Sequence, residues 1–101
     1  MDRLAMIRKM VAERPDDPFR QYGLAMELSK QGHSDEAGAT FDKLMAEHPS
    51  YQAAYLMAGN HFAASGDPSK ARATYEKGIE VARSSGDAHA EGELEAALGE
   101  L

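Results

Sequence analysis

The chain contains no cysteine, which excludes a disulfide framework, a thiol nucleophile and cysteine-ligated zinc. Basic residues are in deficit, 11 Lys and Arg against 17 Asp and Glu for a formal net charge of −6. A nucleic-acid partner would need the reverse balance, with clustered cations to neutralise phosphates. The one basic cluster, Arg8-Lys9 beside Arg3, reads as the solvated face of a helix. Long apolar runs are missing too. The N-terminal "MDRLAMIRKMV" lacks the apolar centre of a signal peptide, and no stretch approaches the length of a membrane span. The expectation is a cytoplasmic protein with neither a nucleic-acid nor a membrane partner.

The motifs of catalysis are equally scarce. None of His33, His48, His61 and His89 stands four residues from another, so no pair can clasp a metal from one helix face. Each is expected as a surface or turn histidine. Glu91, Glu93, Glu95 and Glu100 read as a solvated face on the last helix. There is no glycine-rich phosphate loop, and no serine has an identifiable base and orienter. The chain is expected to be no enzyme and to need no cofactor or metal.

What the sequence does contain is punctuation. "RPDDP", "KQGHS", "EHPS", "SGDP" and "SSGD" break the chain at regular intervals. Between them lie six segments of about 12 to 15 residues, an ordinary helix length. Their apolar residues recur at helical spacing: Leu24 and Leu28; Phe41, Leu44 and Met45; Tyr55, Ala58 and Phe62; Tyr75 and Ile79. No segment alternates strictly, and β-branched residues are few, so the spacing predicts helices throughout. Asp17-Pro18 and Asp67-Pro68 each offer a capping carboxylate followed by a proline suited to the first helical position. Ser34 and Asp87 are candidate caps of the same kind. Gly32 and Gly66 stand where preceding helices must end in a left-handed residue.

The punctuation repeats. "QGHSDEAGATFDK" at 31–43 returns as "SGDPSKARATYEK" at 65–77. Gly32 becomes Gly66, Ala37 Ala71, Phe41 Tyr75 and Lys43 Lys77, each 34 positions on with no slip. A 34-residue helix–turn–helix period is a signature of stacked repeats. One hairpin cannot bury its apolar faces alone, whereas a stack can.

These residues resemble the tetratricopeptide repeat family. The segment 18–51 supplies Leu24, Ala25, Gly32, Ala37, Phe41 and Pro49 at the family's positions, with Leu28 where an aromatic is usual. The segment from 52 to 84 supplies Tyr55, Ala58-Gly59, Phe62, Gly66, Ala71, Tyr75 and Gly78. One period earlier, Ile7, Met10 and Pro15 match a second helix, making 2–14 a half-repeat. The segment 87–101 reads as a C-terminal capping helix whose register is open. A strict period begins it near 86, and a longer spacing aligns Leu98-Gly99 with Ala58-Gly59. Gln21, Leu44 and Arg83 depart from the family pattern, Arg83 replacing a closing proline.

The resemblance implies one domain over 1–101, an all-α, right-handed superhelix of stacked antiparallel hairpins with about six short helices. Repeat packing would rest on Leu24, Ala25, Leu28, Ala37, Phe41, Tyr55, Gly59, Phe62, Ala71, Tyr75 and Gly78. It also implies a protein-interaction module whose concave groove is lined by Phe19, Tyr22, Met26 and Lys30, then Leu56, Met57 and Asn60. The acidic C-terminal end of that groove points to an apolar partner segment with some basic residues. The alternative is a homodimeric scaffold joined through the N-terminal helix and its Leu4, Ile7, Met10 and Val11.

Overall fold

A computed structural model of the chain describes residues 2–101. Six helices account for it: α1 (Arg3–Glu13), α2 (Pro18–Lys30), α3 (Ser34–Glu47), α4 (Ala53–Ala64), α5 (Pro68–Ser85) and α6 (Ala88–Gly99). Among the described residues there is no strand. Contacts divide the chain into two compact units, residues 1–48 with α1 to α3 and residues 49–101 with α4 to α6.

The helices begin where the sequence places capping carboxylates. Asp17 accepts from the Phe19 and Arg20 amides, Asp67 from Lys70 and Asp87 from Ala90. Each satisfies first-turn donors that have no partner inside the helix. Asp2 does the same for Ala5 at the start of α1. The third helix differs from expectation. It starts at Ser34 itself, leaving His33 in the cap position with no side-chain bond to the first turn. There Asp35 and Glu36 place carboxylates in the first turn instead, where the helix dipole favours negative charge.

The helix ends are closed by one device used three times. Gly32, Gly66 and Gly86 all adopt positive φ, at 83°, 87° and 74°. The amide after each glycine reaches back to a carbonyl five residues earlier: His33 to Leu28, Asp67 to Phe62 and Asp87 to Ala82, each at 2.9 Å. This left-handed closure supplies partners to carbonyls that the helix leaves open.

One helix overruns the period. The first and third helices end at Glu13 and Glu47, 34 residues apart, just before Pro15 and Pro49. The next such position is Arg83, which can continue a helix where proline cannot. Accordingly α5 runs through it to Ser85 and is 18 residues long against 14 for α3.

In unit 1 the buried apolar side chains are Ala25 and Leu28 from α2 with Ala37, Phe41 and Leu44 from α3. Gln21 stands in the same stripe and is 3% exposed. Its amide nitrogen donates to the Pro15 carbonyl at 2.6 Å and to Glu47 at 3.0 Å, so the donor side of this buried group is satisfied, while its Oε1 has no partner among the described residues. In unit 2 the core is larger: Tyr55, Ala58 and Phe62 from α4, Tyr75, Ile79 and Ala82 from α5, and Leu94 from α6. Two glycines permit the closest helix contacts. A Cβ on Gly59 would lie 2.2 Å from the Tyr75 ring, and one on Gly78 would lie 2.5 Å from the Tyr55 Cβ. Leu94 approaches the same Gly78, and that contact seats α6. Neither of the two registers suggested for α6 puts its own glycine against a neighbour, because Gly92 and Gly99 both face open space.

Candidate protein-interaction surfaces

The second helix divides its residues between two directions. Gln21, Ala25 and Leu28 turn inward, while Phe19, Tyr22, Met26 and Lys30 occupy a flank at helical spacing. Phe19 is 69% exposed, Lys30 is exposed, and Tyr22 and Met26 are half-buried. Leu24 is half-buried as well, while the other ten residues that the sequence assigns to repeat packing are buried. An aromatic ring so exposed beside two half-covered apolar side chains is surface that unit 1 does not need for its own core.

Phe19 also borders a second feature of unit 1. A groove of about 680 Å3 runs between α1 and α2, lined by Met6, Ile7, Met10, Phe19 and Gly23 with Arg3, Asp17 and Arg20 at its edges. Met6 and Met10 are 53% and 46% exposed. No residue of α1 is fully buried, so the helix rests on α2 by its half-buried Leu4, Ile7 and Val11 and by polar ties. Arg20 donates to the Met10 carbonyl at 2.6 Å. Arg8 makes a two-pronged bond to Glu36 of α3, at 2.5 and 2.9 Å, and this pairing holds the Glu36 carboxyl below the usual range. Glu27 anchors the other end. It accepts from Gln31 and from Arg3, both at 2.7 Å, and these donors, Gln31 first, depress its pKa. Sequence pattern alone does not mark this buried glutamate, because acidic residues on an amphipathic helix are normally solvated.

In unit 2, Leu56 and Met57 are half-buried on α4 and Asn60 is exposed. Asn60 is not simply a free donor set, since its Oδ1 accepts the Tyr75 hydroxyl at 2.6 Å. His61, expected at the surface, is 7% exposed. Its ring meets Phe62 edge-on at 5.6 Å between centroids, and Lys70 lies 4.5 Å above the Phe62 ring in a cation–π arrangement. The correction follows from the pitch of α4, whose inward residues on either side of His61 include Ala58 and Phe62. His89 is exposed and lies 3.4 Å from Glu93 one turn on. Among the described residues no group of three His, Asp or Glu is arranged to hold a metal ion. None of the described helices is long and apolar enough to cross a membrane.

The tetratricopeptide repeat family profile matches residues 28–98, most of the chain. The chain belongs to the tetratricopeptide repeat family. A TPR repeat-containing protein of Pseudomonas aeruginosa is 28% identical over 95 residues, spanning 94% of this chain and 90% of that protein. A tetratricopeptide repeat domain protein from Salinibacter ruber is similar in structure. Its TM-score is 0.79 at 35% identity, over 85% of this chain and 87% of that one. YrrB, described as a TPR protein with an unusual peptide-binding site, superposes with a TM-score of 0.79 at 24% identity, over 92% of this chain and 45% of that one. This tetratricopeptide chain therefore carries a fold whose general use is protein–protein interaction, and its exposed side chains carry the particulars.

Proposed function

We propose that the chain is a protein–protein interaction module that holds a peptide or helix of a partner against the flank of α2. The half-buried Leu56 and Met57 of α4 offer a second contact face. The observation carrying the reading is the exposure of Phe19, with Tyr22 and Met26 beside it, on a helix whose core stripe is already complete. Apolar anchors at spacings of three and four match the way helices and extended peptides seat side chains in shallow pockets. YrrB offers a precedent within the fold for peptide binding. The chain's formal net charge of −6 supports a partner segment with some lysine or arginine next to its apolar residues.

The test is capture on the immobilised chain, with Tyr22→Ala/Met26→Ala run alongside and its helical circular dichroism matched to the wild type. A partner retained by the wild type and lost by the double variant supports the α2 flank. Equal retention by both refutes it. Probe peptides then separate the chemistry. Apolar-basic sequences should bind more tightly than apolar-acidic ones, and the opposite order would overturn the charge argument.

A further inference from the structure

The groove between α1 and α2 has an internal counterpart. Two periods along the chain, Ile7 and Met10 correspond to Tyr75 and Gly78 of α5. In unit 2 those positions are covered by a helix. Tyr75 lies against Gly59 of α4, and Gly78 lies against Tyr55 of α4. In unit 1 the corresponding face is less covered, with Ile7 half-buried, Met6 and the counterpart Met10 about half exposed, and Phe19 more so. The repeat thus specifies what shape fits there: an α-helix presenting small residues to bulky ones, as Gly59 does to Tyr75.

The chain contains such a helix with that face unoccupied. The buried side of α6 is the Leu94 side. On the opposite side stand Gly92, Ala96 and Gly99, at i, i+4 and i+7, all exposed. A Cβ on either glycine would meet nothing within 4 Å. Glycine inside a helix costs about 1 kcal/mol against alanine. At Gly59 and Gly78 a close neighbour requires it, and on α6 no neighbour among the described residues does. The charges match as well. Glu93, Glu95 and Glu100 border the small-residue face, and α6 has no lysine or arginine. Among the charged residues that line the groove, Arg3 and Arg20 outnumber Asp17.

We infer that the occupant of the α1–α2 groove is α6 of a second copy of this chain. Met6, Met10 and Phe19 of one copy would pack over Gly92 and Ala96 of the next. The contact is heterologous, each copy using two different faces, so association proceeds head to tail. It is distinct from the α2 flank proposed for a partner, with Phe19 alone at the border of both.

Sedimentation across a hundredfold concentration series tests this. The wild type gains mass with concentration and loses it in high salt, because Arg3 and the bordering glutamates of α6 are exposed and screenable. Met10→Glu closes the groove and Ala96→Glu closes the helix face. Both positions are exposed, so both variants keep the wild-type helical signal, and each stays monomeric. Mixed in equal amounts, the two variants form a dimer and nothing larger, since only one intact pair of faces remains. Several results would overturn the inference. A wild type monomeric throughout would do so, as would a mixture that fails to dimerise. Loss of association in Met10→Glu but not in Ala96→Glu would indicate a symmetric contact between two α1 faces. Tyr22→Ala leaves the mass unchanged, so failure here is separable from failure of the partner-binding reading.

Discussion

Adding a methyl group at two glycines should move stability in opposite directions, and the structure sets both signs. At Gly59 a Cβ would lie 2.2, 2.5 and 2.8 Å from three carbons of the Tyr75 ring. The ring has little room to retreat. Tyr75 is 3% exposed, and its hydroxyl is held by Asn60 at 2.6 Å. Gly59→Ala gains about 1 kcal/mol of helix propensity. It incurs an overpacking cost of about 3 kcal/mol, the upper end of the usual range. The net loss is about 2 kcal/mol, or on the order of 10 °C in Tm for a domain of this size. At Gly92 the same substitution meets nothing within 4 Å, so only the propensity gain of about 1 kcal/mol survives. Urea unfolding followed by circular dichroism, at a concentration where the wild type is monomeric, measures both. A Gly59→Ala variant as stable as Gly92→Ala would refute the claim that close helix approach is what requires Gly59.

Phe41→Ala removes a ring with no exposed surface from unit 1 and should cost about 3–5 kcal/mol by urea unfolding. Asp67→Ala removes the acceptor of the Lys70 amide and should cost about 1 kcal/mol, while Asp67→Asn should cost less. Glu27 and Glu36 both have pKa values lowered by their donors. Their contribution is complete above the ordinary carboxylate pKa of about 4.3 and is lost as pH falls toward the depressed values. A Glu27→Gln/Glu36→Gln variant should therefore show a weaker loss of stability between neutral pH and acid than the wild type. An unchanged acid profile would show that these pairs contribute nothing.

The helical architecture was legible because its signals are local and redundant. Asp17, Asp67 and Asp87 announce helix starts, Gly32 and Gly66 announce ends, and the period copies each from one hairpin to the next. Less legible is where polar side chains end up, because that depends on the partners and the helix faces the fold brings to them. Gln21 is buried because Pro15 and Glu47 receive its amide. Glu27 is buried because Arg3 and Gln31 meet its carboxylate. His61 is buried by the pitch of α4. Serine is a good cap, yet the closure that begins at Gly32 places His33, not Ser34, in the cap position. The overrun of α5 was half legible, since Arg83 was visibly not a proline, but how far a helix continues depends on the next glycine, and here that is Gly86.

The surfaces are a different problem, because periodicity finds cores and is silent about faces. What makes them readable is comparison within the chain. Where two equivalent positions are both buried, the residues agree in kind, as Phe41 and Tyr75 do. Where they disagree, the surroundings differ. Position 78 is a glycine against Tyr55, and its counterpart at 10 is a half-exposed methionine. Likewise Gly59 is a glycine under a ring, and Gly92 is a glycine under water. A bulky open face and a small open face, each departing from its own repeat in a complementary sense, are most simply explained if the two meet in another molecule.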